Sequence, residues 1–98
     1  MSHTVIVEVR CQPSKGDEFL ASLLPALEDT RAFAGCESIE AYVDQRDPDL
    51  VVLWEKWEEE EHHEAYMAWR IEEGLLARLA PLFDGDARVL HLREAQAR

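Results

Sequence analysis

The stretch Leu50–Trp57 (LVVLWEKW) constrains this chain more than any other. Its β-branched and aromatic residues read as a strand, with Val52 and Trp54 on one face and Val51, Leu53 and Trp57 on the other. A strand that is apolar on both faces has to be covered on both. Gln45–Asp49 (QRDPD) before it is turn chemistry. Two further segments alternate cleanly. Thr4–Cys11 sets Val5, Val7 and Val9 against Glu8 and Arg10, and Cys36–Asp44 sets Ile39, Ala41 and Val43 against Ser38, Glu40 and Tyr42. Ala87–Arg93 is a fourth strand, and the five residues after it read as a fraying tail.

Helices fill the intervals. Ser14-x-x-Asp17 is a capping-box pattern, and Leu20, Leu23, Leu24, Leu27 and Ala34 recur at helical spacing over Lys15–Ala34. Pro25 predicts a kink there, and Gly35 a stop. The acidic tract Glu58–Glu61 suits the positive end of a second helix, which runs to about Arg70. Leu75, Leu76, Leu79 and Leu82 mark a short third one before the Asp84-Gly85-Asp86 turn. The order β-α-β-β-α-(α)-β predicts an α+β, ferredoxin-like βαββαβ fold with an extra short helix, strand order 4-1-3-2, and helices on one sheet face. Ninety-eight residues make a single domain, structured over about 4–93. The helices leave one face of Leu50–Trp57 open, which calls for a second sheet from another copy: a homodimer.

Charge narrows the partners. Ten Lys and Arg against 21 Asp and Glu give a net charge of −11. That is too few cations to build a phosphate-binding face, and an anionic bilayer repels such a chain. Nucleic acid and membrane are therefore not expected partners. The first apolar stretch carries Glu8 and Arg10, so it does not read as a secretion signal, and a cytoplasmic location is expected. Cys11 ends the first strand and Cys36 begins the second, which this fold sets at opposite edges of the sheet, too far apart for a disulfide, and both are expected as free thiols.

The second helix holds most of the chemistry. On a 3.6-residue repeat His62, Tyr66 and Trp69 form one stripe, with His63, Met67 and Arg70 beside it. One reading is a pocket wall, with His62 and Tyr66 handling protons and Arg70 donating to an anion. The other is an amphipathic helix whose aromatics pack on the sheet and whose histidines are solvated. Trp54 and Trp57 are pocket-lining residues on the first reading and plain core on the second. No metal site is expected. Adjacent His62 and His63 point about 100° apart, and His63-Glu64-x-x-Met67 does not complete the H-E-x-x-H zinc pattern.

Six segments together carry a family likeness: Thr4–Arg10, Pro13-Ser14-Lys15-Gly16-Asp17-Glu18-Phe19, Ala34-Gly35-Cys36, Arg46-Asp47-Pro48-Asp49, Trp54-Glu55-Lys56-Trp57-Glu58 and Tyr66-Met67-Ala68-Trp69-Arg70. In that order, over about residues 4–93, the chain resembles the antibiotic biosynthesis monooxygenase family, and its quinol monooxygenases in particular. The resemblance implies a dimeric α+β barrel with a substrate cleft between helices and sheet. It also implies oxygenation of a quinol, polyphenol or polyketide-like aromatic without metal, flavin or haem. Catalytic residues would come from His62, Tyr66 and Arg70. Tyr42, Trp54, Trp57, His63, Met67 and Trp69 would contact a small aromatic substrate. Two departures stand out. Tyr66 occupies the helix position where the family often has His, which keeps a non-catalytic binding module, or a non-oxidative isomerase or cyclase, in view. The haem-degrading branch uses an Asn in its first strand, and this chain has no Asn, with Tyr66 and Leu76 at the aligned helix positions.

Overall fold

The computed structural model describes residues 2–96. Its elements are β1 (His3–Arg10), α1 (Gly16–Ala32), β2 (Cys36–Asp44), β3 (Asp47–Trp57), α2 (Glu60–Glu73), α3 (Leu75–Leu79), a 3-10 turn over Ala80–Leu82, and β4 (Arg88–Leu92). The four strands form one antiparallel sheet in the order β2-β3-β1-β4. This is the expected ferredoxin-like α+β arrangement. Residues 94–96 of the expected tail are neither helix nor strand, and its last two residues lie outside the described ones.

Alternation sorts the sheet into two faces. Val5 and Val9 of β1, Ile39 of β2, and Val51, Leu53, Glu55 and Trp57 of β3 are buried under the helices. From α1 they receive Phe19, Leu23, Leu27 and Thr30. Leu24, expected in this stripe, is instead 49% exposed. Spacings of three and four include it, but only the narrower arc Phe19–Leu23–Leu27–Thr30 meets the sheet. On the opposite face the register aligns Glu40, Trp54, Ile6 and Leu90 in one row, and Tyr42, Val52, Glu8 and Arg88 in the next. Among the described residues no helix covers this face. Polar groups there pair across strands: Tyr42 donates to Glu40, and Arg88 lies 3.7 Å from Glu8.

Three local expectations change. β3 begins at Asp47, not Leu50, because the tight turn is only Gln45-Arg46 and the strand restarts through a register shift beside Val43. α1 runs unbroken through Pro25, which is exposed on its outer side, where the carbonyl it orphans meets water. α2 continues to Glu73 and stops at Gly74 in the left-handed conformation, φ +97°.

The start of α1 departs furthest from the sequence reading. No side chain of its own caps the helix. Ser14, expected as the cap, sits at φ +68°. The cap comes from across the fold: Asp49 accepts from the Ser14 N–H through Oδ2 and from the Gly16 N–H through Oδ1, both at 2.9 Å. Gly16 is obligatory in this approach, since a Cβ there would lie 1.9 Å from the Pro48 carbonyl oxygen. The carboxylate thus fastens α1 to the β2–β3 hairpin. Asp49→Ala should lower stability by about 1–2 kcal/mol in urea denaturation, and Asp49→Asn, which keeps one acceptor oxygen, by less.

Candidate active site

Between the helix-covered sheet face and α2 and α3 lies a cavity of about 560 Å³. Its walls are largely aliphatic, among them Val7, Leu53, Leu76 and Leu79, with Phe83 closing one side. Four buried polar side chains, Glu55, His63, Tyr66 and Arg70, break the apolar lining, and the exposed Asp86 borders it as well. A concave, mostly apolar space with a few converging polar groups is the usual form of a small-molecule site.

Glu55 and His63 are the chemically unusual pair. Glu55 is 3% exposed and His63 4%. Their Oε1 and Nε2 atoms lie 3.8 Å apart. The spacing Glu55-x-Trp57 puts both side chains on one sheet face, and the Trp57 indole N–H donates to Glu55 Oε1 at 3.0 Å. Burial pushes the Glu55 carboxyl up from its ordinary value, and the Trp57 hydrogen bond only partly opposes this. Burial also pushes His63 down to about 4, with the nearby His91 and His3 adding to it. The imidazole is therefore neutral at pH 7, and the 3.8 Å contact is not a fixed ion pair. His63 Nε2 is buried without a hydrogen-bond partner, so it presents a free ring nitrogen.

Arg70 supplies the positive end. Its Nε donates to the Tyr66 hydroxyl at 2.8 Å, and one terminal nitrogen to the Ala26 carbonyl at 2.6 Å and Thr30 Oγ1 at 3.2 Å. The other terminal nitrogen reaches Glu73 at 3.3 Å. The guanidinium also lies 4.5 Å above the Trp69 ring centre. Tyr66 and Thr30 share a further hydrogen bond of 2.6 Å.

The structure divides the expected residues. His63, Tyr66, Met67 and Arg70 line the cavity together. Trp57 stands directly behind them, fully buried, with its ring 5.1 Å from Tyr66 and 5.7 Å from His63. Trp69 packs on Phe33 and Arg70 rather than on the cavity. His62 faces the α1–β2 junction, 4.0 Å from Glu58, against Gly35, where a Cβ would fall 2.1 Å from its ring. Tyr42 and Trp54 lie on the other sheet face, 48% and 44% exposed. Glu55 is the group that the site reading of the sequence passed over. Its signal was a lone acid at an inward position of an otherwise apolar strand. Cys11 and Cys36 are free thiols, and burial raises both.

The raised Glu55 carboxyl makes a pH prediction. A carboxyl whose folded pKa exceeds its unfolded one contributes stability at low pH and loses it as pH rises through the folded value. Glu55→Gln should therefore match the parent near pH 4 and become the more stable of the two toward pH 8, in urea titrations across that range.

The comparisons agree with this architecture. The family model of the antibiotic biosynthesis monooxygenases matches residues 2–70. A crystal structure described as an antibiotic biosynthesis monooxygenase superposes with a TM-score of 0.86 at 23% identity, covering 98% of this chain and 100% of that one. A conserved protein from Methanosarcina mazei Go1 gives 0.86 at 18% identity, over 96% and 93%. A Pseudomonas aeruginosa protein gives 0.80 at 18%, over 97% and 95%. No curated protein matches the sequence significantly. At these identities the superpositions speak for the fold, while the sequence model, spanning β1 to the last turn of α2, speaks for descent: the chain belongs to the antibiotic biosynthesis monooxygenase family.

Proposed function

We propose that the chain is a cofactor-independent monooxygenase that oxidises a quinol or related polyphenolic aromatic with dioxygen. The observation that carries this reading is the buried Glu55–His63 pair on the wall of a largely apolar cavity. A phenol deprotonated in such a space becomes electron-rich enough to reduce dioxygen directly. His63 Nε2, neutral and unpartnered, takes the hydroxyl proton, with Glu55 holding or releasing it as the charge changes. Arg70 and the Tyr66 hydroxyl stabilise the phenolate from the same wall. In the net reaction a ring C–H carbon becomes a carbonyl, one oxygen atom enters the product, and the other leaves as water with the two hydrogens removed. The dry aliphatic walls protect the intermediate anion from bulk solvent.

The assay is oxygen uptake with a panel of quinols and polyphenols added to anaerobic protein. The expected result is uptake well above the uncatalysed rate, reduced by about 10²–10⁴-fold in His63→Gln. No enhancement across the panel overturns the reading. The same acid–base pair favours one other reaction, proton relocation in a non-oxidative isomerisation or cyclisation. Product formed under strict anaerobiosis identifies it.

A second copy completes the assembly in this reading. The open sheet face carries Ile6, Val52, Leu90 and the exposed Trp54, Tyr42 and Leu92. Packing a second sheet about 10 Å away removes this apolar area from water. The two free thiols suit a cytoplasmic location. Sedimentation at micromolar concentration should give twice the 11.3 kDa chain mass, and Trp54→Glu should return the single-chain mass. With a charge of −11 on each copy, added salt should strengthen association modestly by screening.

A further inference from the structure

A second group of chemistry-bearing side chains converges at the edge of the sheet, outside the cavity. Val5 of β1 pairs with His91 of β4, so His3, two residues back on the same face, is a diagonal neighbour of His91. His3 Nε2 and His91 Nδ1 are 2.9 Å apart. Glu60, the first residue of α2, approaches both, and one ligand atom from each of the three lies within 4.8 Å of the others. We propose that His3, Glu60 and His91 form a binding site for one divalent transition-metal ion of the zinc type.

The ligand set supports this assignment. Two imidazole nitrogens and a carboxylate oxygen are a common three-ligand zinc set that leaves a fourth position for water. Bonds of about 2.0–2.1 Å in a tetrahedron hold neighbouring donor atoms roughly 3.3 Å apart, so the 2.9 Å pair needs to open by only a few tenths of an ångström. The three residues sit on two paired strands and a helix start, which fixes their relative positions before any ion arrives. The sequence conceals the site, since 57 and 31 positions separate Glu60 from His3 and His91. The chain's charge of −11 favours uptake of a dication.

The site also has a structural use. β4 is a five-residue edge strand held only by β1 in the sheet. An ion bound by His3, Glu60 and His91 ties it to β1 and α2 at once. The His63 ring stands 5.4 Å from that of His91, so the clamp borders the cavity without using the cavity's own groups. The proposal is independent of the oxygenation chemistry.

The test uses the full chain without an affinity tag, stripped by chelator and titrated with Co²⁺, then with Zn²⁺ in competition. Saturation at one ion per chain is expected, with visible d–d absorption and no thiolate charge-transfer band. Zn²⁺ should raise the Tm. His91→Ala and Glu60→Gln should each weaken binding by about tenfold or more, while His62→Gln, whose ring faces Gly35, should not. Three outcomes would overturn the assignment: no saturable binding below about millimolar free ion, binding untouched by His91→Ala, or a thiolate band assigning the ion to a cysteine.

Discussion

The arrangement of this molecule depends on one buried guanidinium. Arg70 is the only Lys or Arg in the core among the described residues. A buried cation without partners is ruinous, so its surroundings are dictated: the Tyr66 and Thr30 hydroxyls, the Ala26 carbonyl and Glu73 each accept from it. Ala26 and Thr30 belong to α1, and Tyr66 and Glu73 to α2. One side chain therefore sets the distance between the two helices above the sheet. That spacing keeps the aliphatic side chains of α1 and α3 from closing over Glu55 and His63. The cavity exists because the helices are pinned by a polar network and cannot simply collapse together.

How much of this was legible depends on how local each signal is. Strand periodicity is local, and Val51, Leu53 and Trp57 were correctly grouped against Val52 and Trp54. Alternation does not say which group meets the helices. That is decided by the handedness of the crossovers, so Trp54 and Trp57 looked equivalent until the fold separated them. The helix stripe had the same limit. His62 and His63 differ by about 100° on α2, and the real cavity arc, His63–Tyr66–Met67–Arg70, cuts between the two stripes drawn from the sequence. Glu55 was quoted only as part of a recognisable motif. Its importance comes from burial, which no single residue type announces. The Asp49 cap on α1 and the His3–Glu60–His91 group join residues far apart in the chain, and composition and spacing carry no trace of either.

Electrostatics explain why the acids are placed as they are. Glu58, Glu59, Glu60 and Glu61 all reach solvent at the entry to α2, where the helix dipole welcomes negative charge and water screens it. Glu73 is held between Arg70 and Arg78. Glu55 is the one carboxyl left in the core among the described residues, and burial pushes its pKa above the ordinary carboxylate value. An acidic protein can stabilise an anionic intermediate only if the local field differs from the global one. Here the buried full charge on the cavity wall is positive, at Arg70, and His63 beside it is neutral at pH 7.

The two faces of β3 differ sharply in their surroundings. Inward residues hold Glu55 and Trp57 against the helices, and each is immobilised by the other through the indole N–H. Outward residues, Val52, Trp54 and Lys56, are half-buried or exposed. Covering them with a second sheet would stiffen the platform from below, and any strain at Trp54 would pass through one peptide unit to Glu55. A strand with both faces buried is poorly able to twist or slip, because a shift of one residue would exchange the two sets of side chains. One strand therefore carries the buried Glu55 on one face and the exposed Trp54 on the other, and the register that fixes either set of side chains fixes both.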